Sequence, residues 1–195
     1  MSFLKRIGRG RERSGMIRLA QKAMDDPSEV LRKLDSVTDG IGSDDFVVRT
    51  LSAYILYRMA REDLNEEVRH HVGMMSSYLA AIDNADRFSP ANIRCLSCMK
   101  TVEVNPPVFP KKLKCPHCGK VGRVMIPPAN PVGWRLSELY WTVSFLFRMA
   151  RKGHIEGIET AADYLDSLKD HPDGDIRKRS RMISIMISEG AGKSG

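Results

Sequence analysis

Apolar residues recur along most of this chain at the three- and four-residue spacing of amphipathic helices, and the rhythm stops over one central stretch. Val48, Leu51, Ile55 and Met59 make one stripe, and Val68, Val72, Met75, Leu79 and Ile82 make the next. Beyond the central stretch the spacing resumes in Leu136, Leu139, Val143, Leu146 and Ala150, then in Ile155, Ile158, Ala162, Leu165 and Leu168. A last helix is expected from about Ile176 to Ser188. Helix starts are signalled as well. Asp26-Pro27-Ser28-Glu29 offers an N-cap, a proline at the first helical position and a capping-box glutamate, and Asp63-Leu64-Asn65-Glu66 reads as a second capping box.

Between Ser89 and Pro131 prolines at 90, 106, 107, 110, 127, 128 and 131 exclude long helices, while Thr101–Val104 and Val121–Ile126 suit short strands. The expected organisation is therefore a mainly α protein with a small β insertion. Residues 1–14 form a basic mobile arm whose helix Gly8 and Gly10 would break, 15–88 an N-terminal helical half, and 89–131 the insertion. Residues 132–188 form a C-terminal helical half packed on 15–88, and 189–195 a flexible tail. The halves echo one another. Tyr57-Arg-Met-Ala-Arg61 and Phe147-Arg-Met-Ala-Arg151 each close an apolar helix and precede another that contains a Tyr-Leu pair, Tyr78-Leu79 or Tyr164-Leu165. The two intervals differ by four residues, about one helical turn.

Composition adds a bias. The chain has 195 residues, 42% of them hydrophobic and 28% charged, which suits a globular protein, and a formal net charge of +7 favours polyanionic or acidic partners. The opening Met1-Ser-Phe-Leu-Lys-Arg turns basic too early for a signal-peptide core. No apolar run approaches the roughly 20 residues of a transmembrane helix. A cytoplasmic, reducing setting is expected, where paired cysteines are metal ligands more often than disulfides.

The four cysteines stand as Cys95-Leu-Ser-Cys98, sixteen residues, then Cys115-Pro-His-Cys118. This spacing suits tetrahedral Zn²⁺ held by four thiolates, a closed shell that leaves no position for a water nucleophile and marks one structural ion. His117 lies between two ligands and reads as an exposed turn residue. Arg94 to Lys120 resembles archaeal-type zinc ribbons, whose second knuckle reads Cys-Pro-x-Cys-Gly-Lys. The first knuckle departs from them at Met99-Lys100, where glycine is usual, so a looser turn is expected there. Around the cysteines, Arg94, Lys100, Lys111, Lys112, Lys114, Lys120 and Arg123 face only Glu103, a balance of +6 that a zinc–thiolate cluster lowers to about +4.

A D/N-x-x-V/I-R pattern occurs three times, at Asp45–Arg49, Asn65–Arg69 and Asp173–Arg177. It resembles the opening of the second helix in HEAT repeats, where the first residue caps, the branched residue enters the core and the arginine pairs along the stack. That likeness implies HEAT-like hairpins on both sides of the ribbon and a protein that binds partners rather than catalysing. Enzyme motifs are weak. Gly192-Lys193-Ser194 imitates a P-loop ending, but Ile187 occupies the first glycine position, and His70 and His71 lack an H-E-x-x-H frame.

The expected function is a non-enzymatic factor on an RNA or DNA complex, a ribonucleoprotein for example. Lys111, Lys112, Lys114, Lys120 and Arg123 of the ribbon and Arg6, Arg9, Arg11 and Arg13 of the arm would meet phosphates. The alternatives are a protein–protein adaptor, and a peripheral membrane or matrix-type protein anchored by Phe3, Leu4 and Ile7.

Overall fold

The computed structural model describes residues 3–82, 87–125 and 131–191, with side chains over 10–82, 87–125 and 134–190. The chain is mainly helical. In order it runs α1 (Phe3–Asp25), a 3₁₀ segment (Pro27–Lys33), α2 (Leu34–Ile41), α3 (Phe46–Arg61), α4 (Asn65–Val68), a 3₁₀ turn (Arg69–His71) and α5 (Val72–Leu79). Strands β1 (Ala91–Arg94), β2 (Thr101–Val104), β3 (Lys111–Lys114) and β4 (Val121–Val124) follow. Then come α6 (Pro131–Arg151), a 3₁₀ turn (Glu159–Ala161), α7 (Ala162–Ser167), a 3₁₀ turn (Leu168–Asp170) and α8 (Gly174–Ala191). No described helix is long and apolar enough to cross a membrane.

The centre is the contact between α3 and α6, with α1 and α2 against α3 and α8 against α6. Leu51, Ile55, Leu56 and Met59 of α3 and Leu136, Leu139, Leu146 and Met149 of α6 are fully buried in one cluster that draws on both halves. The two helices lie parallel. Arg49 meets Glu138 near their starts at 2.7 Å, Tyr54 and Tyr57 meet Trp141 midway, and Arg148 donates to the Arg61 carbonyl at 3.0 Å near their ends. Glu138 is 4% exposed and also accepts from the Tyr78 hydroxyl. Burial pushes its carboxyl up, against the pull of the Arg49 guanidinium.

The echo between the halves has a structural basis. α3 and α6 end in the same cap: the Leu64 amide donates to the Met59 carbonyl and the His154 amide to the Met149 carbonyl, each at 3.0 Å. The residues before the donors, Asp63 (φ 62°) and Gly153 (φ 87°), are left-handed, as the Schellman motif requires. Buried Leu56, Met59, Val68 and Met75 match buried Leu146, Met149, Ile158 and Leu165 at a constant separation of 90 positions. The Tyr-Leu pairing is thus one turn out of register, because buried positions, and not residue names, carry the repeat. Asp63 is a C-terminal cap paired to Lys152 at 2.5 Å, so the second expected capping box does not form.

Two of the three D/N-x-x-V/I-R segments adopt one geometry. Asp45 accepts from the Val47 amide (2.8 Å) and Asp173 from the Ile176 amide (2.9 Å), and Val48 and Ile176 are fully buried. Arg49 and Arg177 each reach back to the carbonyl two residues before the cap, Ser43 at 2.8 Å and His171 at 2.7 Å. Asn65–Arg69 differs: α4 is a single turn and Arg69 is exposed, pairing with Glu66.

Other expectations change. Gly8 and Gly10 do not interrupt a helix, since α1 begins at Phe3 and runs through both, and α8 reaches Ala191. The Gly192-Lys193-Ser194 motif lies outside the described residues. Thr101–Val104 is a strand as expected, and the later strand closes at Val124; β1 and β3, Ala-Asn-Ile-Arg and Lys-Lys-Leu-Lys, were not legible because each is only four residues long and Ile93 and Leu113 are their one large apolar residue apiece.

Because one core spans both halves, residues 1–88 alone should show no cooperative unfolding transition by circular dichroism. Leu146→Ala in the full chain should lose about 2–5 kcal/mol in a denaturant titration. A cooperative fragment would sink this architecture.

Candidate metal centre and its basic surroundings

The insertion consists of two antiparallel hairpins, β1–β2 (Ala91 opposite Val104) and β3–β4 (Lys111 opposite Val124), not hydrogen-bonded to each other as sheets. Each Cys-x-x-Cys forms the turn of one hairpin with the same bonds. The Met99 amide donates to the Cys95 carbonyl (2.8 Å) and the Cys95 amide to the Lys100 carbonyl (2.9 Å). In the second knuckle, Gly119 donates to Cys115 at 2.9 Å and Cys115 to Lys120 at 2.8 Å. Both turns need a left-handed residue, Gly119 at φ 71° and Met99 at φ 60°. The first turn is therefore as tight as the second, with the strain of a positive φ carried by a methionine.

The knuckles face each other. Cys95 Sγ lies 3.7 Å from Cys118 Sγ and Cys98 Sγ 3.7 Å from Cys115 Sγ, and all four sulfurs fall within 4.8 Å. Thiolates about 2.3 Å from one tetrahedral ion stand about 3.8 Å apart, so the set can hold a metal ion. It is the one such group of three or more ligand residues among the described residues. The amides of Cys98 and Ser97 favour the Cys95 thiolate and hold its thiol down at about 6. For Cys118 the Lys120 amide pulls the same way, yet desolvation and the other three sulfurs push its thiol up to about 11. His117 is exposed and its Nε2 lies 3.2 Å from the Thr101 carbonyl, a contact across hairpins rather than a ligand position.

Four polar contacts seat the insertion on the helices. Phe109 is fully buried, its amide donating to Ser137 Oγ (3.0 Å) and its carbonyl accepting from Trp141 Nε1 (2.8 Å). Asp25, the last residue of α1, takes Lys112 at 3.0 Å and Arg123 at 2.7 Å. The Lys112 hydrogen bond holds the Asp25 carboxyl below its ordinary value, with Arg123 adding to the effect. None of Asp25, Phe109 and Ser137 stood out in the sequence, since each is common in its type and becomes special only by what it meets.

The nine expected phosphate contacts divide accordingly. Lys112 and Arg123 are tied to Asp25, and Arg13 is tied to Asp45 at 2.8 Å. Lys114, Lys120 and Arg11 are exposed, Lys111 is half-buried, and none of these four has an acidic partner among the described residues. Arg6 and Arg9 lie on α1, but their side chains, like those of Phe3, Leu4 and Ile7, fall outside the described set. Between α1 and the hairpins an open cavity of about 500 Å³ is lined by Ile17, Gln21, Ile93, Leu96 and Val121 among others.

No family model, curated protein or solved structure matches this chain. The reading of the site rests on its geometry.

Replacing Met99 by glycine should remove the left-handed strain. Met99→Gly is expected to gain about 1 kcal/mol and to slow metal stripping by a chelator. Unchanged or faster stripping would count against the strained turn.

Proposed function

We propose that this chain is a non-enzymatic, zinc-stapled helical protein that binds RNA or DNA within a larger complex, its helical halves acting as HEAT-like hairpins. Zn²⁺ supplies a structural crosslink: four thiolates close its shell, and two small hairpins with no shared sheet need such a link. The observation that carries the nucleic-acid reading is the excess of cations beside the sulfurs. Lys114 and Lys120 flank the second knuckle, exposed and without an acidic partner among the described residues, and α1 with its exposed Arg11 and Arg18 packs nearby. Cations presented this way release counterions from a phosphate backbone without reading bases.

A second reading, a protein adaptor, is favoured by the apolar residues of the knuckles. Leu96 is 90% exposed and Val121 65%, both at the cavity between α1 and the hairpins, and Met99, at the turn of the first knuckle, is 54% exposed.

Protein purified without chelator should carry one equivalent of zinc by elemental analysis; less than about half an equivalent sinks the metal assignment. Affinity for a short RNA or DNA should fall steeply between about 50 and 200 mM salt. Lys114→Glu combined with Lys120→Glu should weaken it about tenfold while zinc content and helicity persist. Absence of binding at low salt, or unchanged affinity in the double variant, moves the assignment to the adaptor.

A further inference from the structure

The aromatic seam between α3 and α6 continues to the surface. Tyr57 and Trp141 are both half-buried, with ring centroids 5.1 Å apart and planes tilted by 36°, and Tyr140 meets Trp141 edge-on at 4.9 Å. These rings line an open cleft of about 450 Å³ together with Pro110, Lys111 and Lys112 of the insertion. The cleft exists only because the hairpins are seated on the helices: the Trp141 indole that anchors the Phe109 carbonyl is itself part of the wall.

The lining is strongly cationic. Arg58, Arg61, Lys111 and Lys112 face a single carboxylate, Glu62. Arg58 is spent on the Met24 carbonyl (2.8 Å) and on Glu62 (3.4 Å), and Lys112 on Asp25. Lys111 and Arg61 have no acidic partner among the described residues, and they reach the cleft from different elements, one on β3 and one at the end of α3.

Aromatic faces and unpaired cations in one cleft are satisfied together by a base attached to its own phosphate. The base stacks and the phosphate takes the cations, whereas an acidic peptide leaves the rings unused and an apolar one leaves the charges uncovered. The volume lies in the range of small-ligand pockets, about 300–1,000 Å³, which admits one or two nucleotides. A double helix keeps its bases stacked inside and has none to offer such a wall. We infer that this cleft takes one or two nucleotides of a single strand, with a base against Tyr57 and Trp141 and phosphate on Arg61 and Lys111. The inference rests on the nucleic-acid reading above and adds to it a preference for unpaired strands and a place where they bind.

The test uses the full, metal-loaded chain with three probes: 12-nucleotide oligo(U), oligo(dT) of the same length, and an RNA duplex of equal length. Tyr57→Ala should weaken single-strand binding about tenfold or more and leave duplex binding unchanged, while Tyr57→Phe stays within about twofold of the parent. Single strands should also quench tryptophan fluorescence in the unaltered protein, because Trp141 borders the cleft whereas Trp134 is only 4% exposed. This readout decides the matter even where Tyr57→Ala fails to fold. Quenching by either single strand supports the cleft. Strand binding that is insensitive to Tyr57→Ala, gives no quenching and is lost on Lys114→Glu with Lys120→Glu overturns the cleft and leaves the nucleic-acid reading standing. No binding of any probe by the unaltered protein overturns both.

Discussion

Everything else in this molecule hangs on two parallel helices, α3 and α6, that are 69 residues apart from the end of one to the start of the other. Parallel neighbours cannot be joined by a tight turn, so the chain must travel back the length of α3 before α6 begins. It makes that return with α4 and α5, and the four-cysteine insertion is placed in the remainder of the crossover. Their contact buries side chains such as Leu56, Met59, Leu146 and Met149, and removing apolar surface on this scale is the dominant favourable contribution to folding. The polar ties at either end, Arg49 to Glu138 and Arg148 to the Arg61 carbonyl, then set how far one helix can slide along the other.

The insertion is held by two different kinds of interaction. Internally its hairpins share no ladder and meet at the four sulfurs, and its own core is little more than Val102, Val104 and Phe109. Externally it depends on the helices, through the buried Phe109 and the Asp25 ion pairs. Exposed ion pairs of this kind contribute little energy, so Val108 and Met125, which join the helical core, supply apolar stability, the Phe109 backbone bonds fix the seat, and Asp25 adds orientation. Lys112 and Arg123 therefore position the insertion, whereas Lys100, Lys111, Lys114 and Lys120 have no acidic partner among the described residues.

The repeat makes the same point about the helices. Met59 and Met149 cap their helices by one hydrogen bond each to the residue five positions on, and the left-handed residue between is Asp in one and Gly in the other. A left-handed residue is tolerated as Asp or Asn and favoured as Gly, so the chemical identity drifts while the backbone requirement stays. This is why residue names mislead at the Tyr-Leu pairs and buried positions do not.

The sequence by itself determined the helical class, the place of the β insertion and the four cysteines that converge. Those features depend on local periods and spacings: apolar stripes every three or four residues, prolines that forbid helix, and two-residue gaps that let thiolates share a centre. It also carried the Asp45 and Asp173 caps, whose partners lie within six residues. Tertiary structure alone decided the parallel pairing of α3 with α6, the seating of the insertion, and which cations are spent on Asp25 and Asp45. It likewise brought Tyr57 of α3, Trp141 of α6 and Lys111 of β3 to one cleft. Those contacts join residues from 28 to 98 positions apart. No local period encodes such a pair, since each partner's own neighbourhood is satisfied whichever way the distant segment folds.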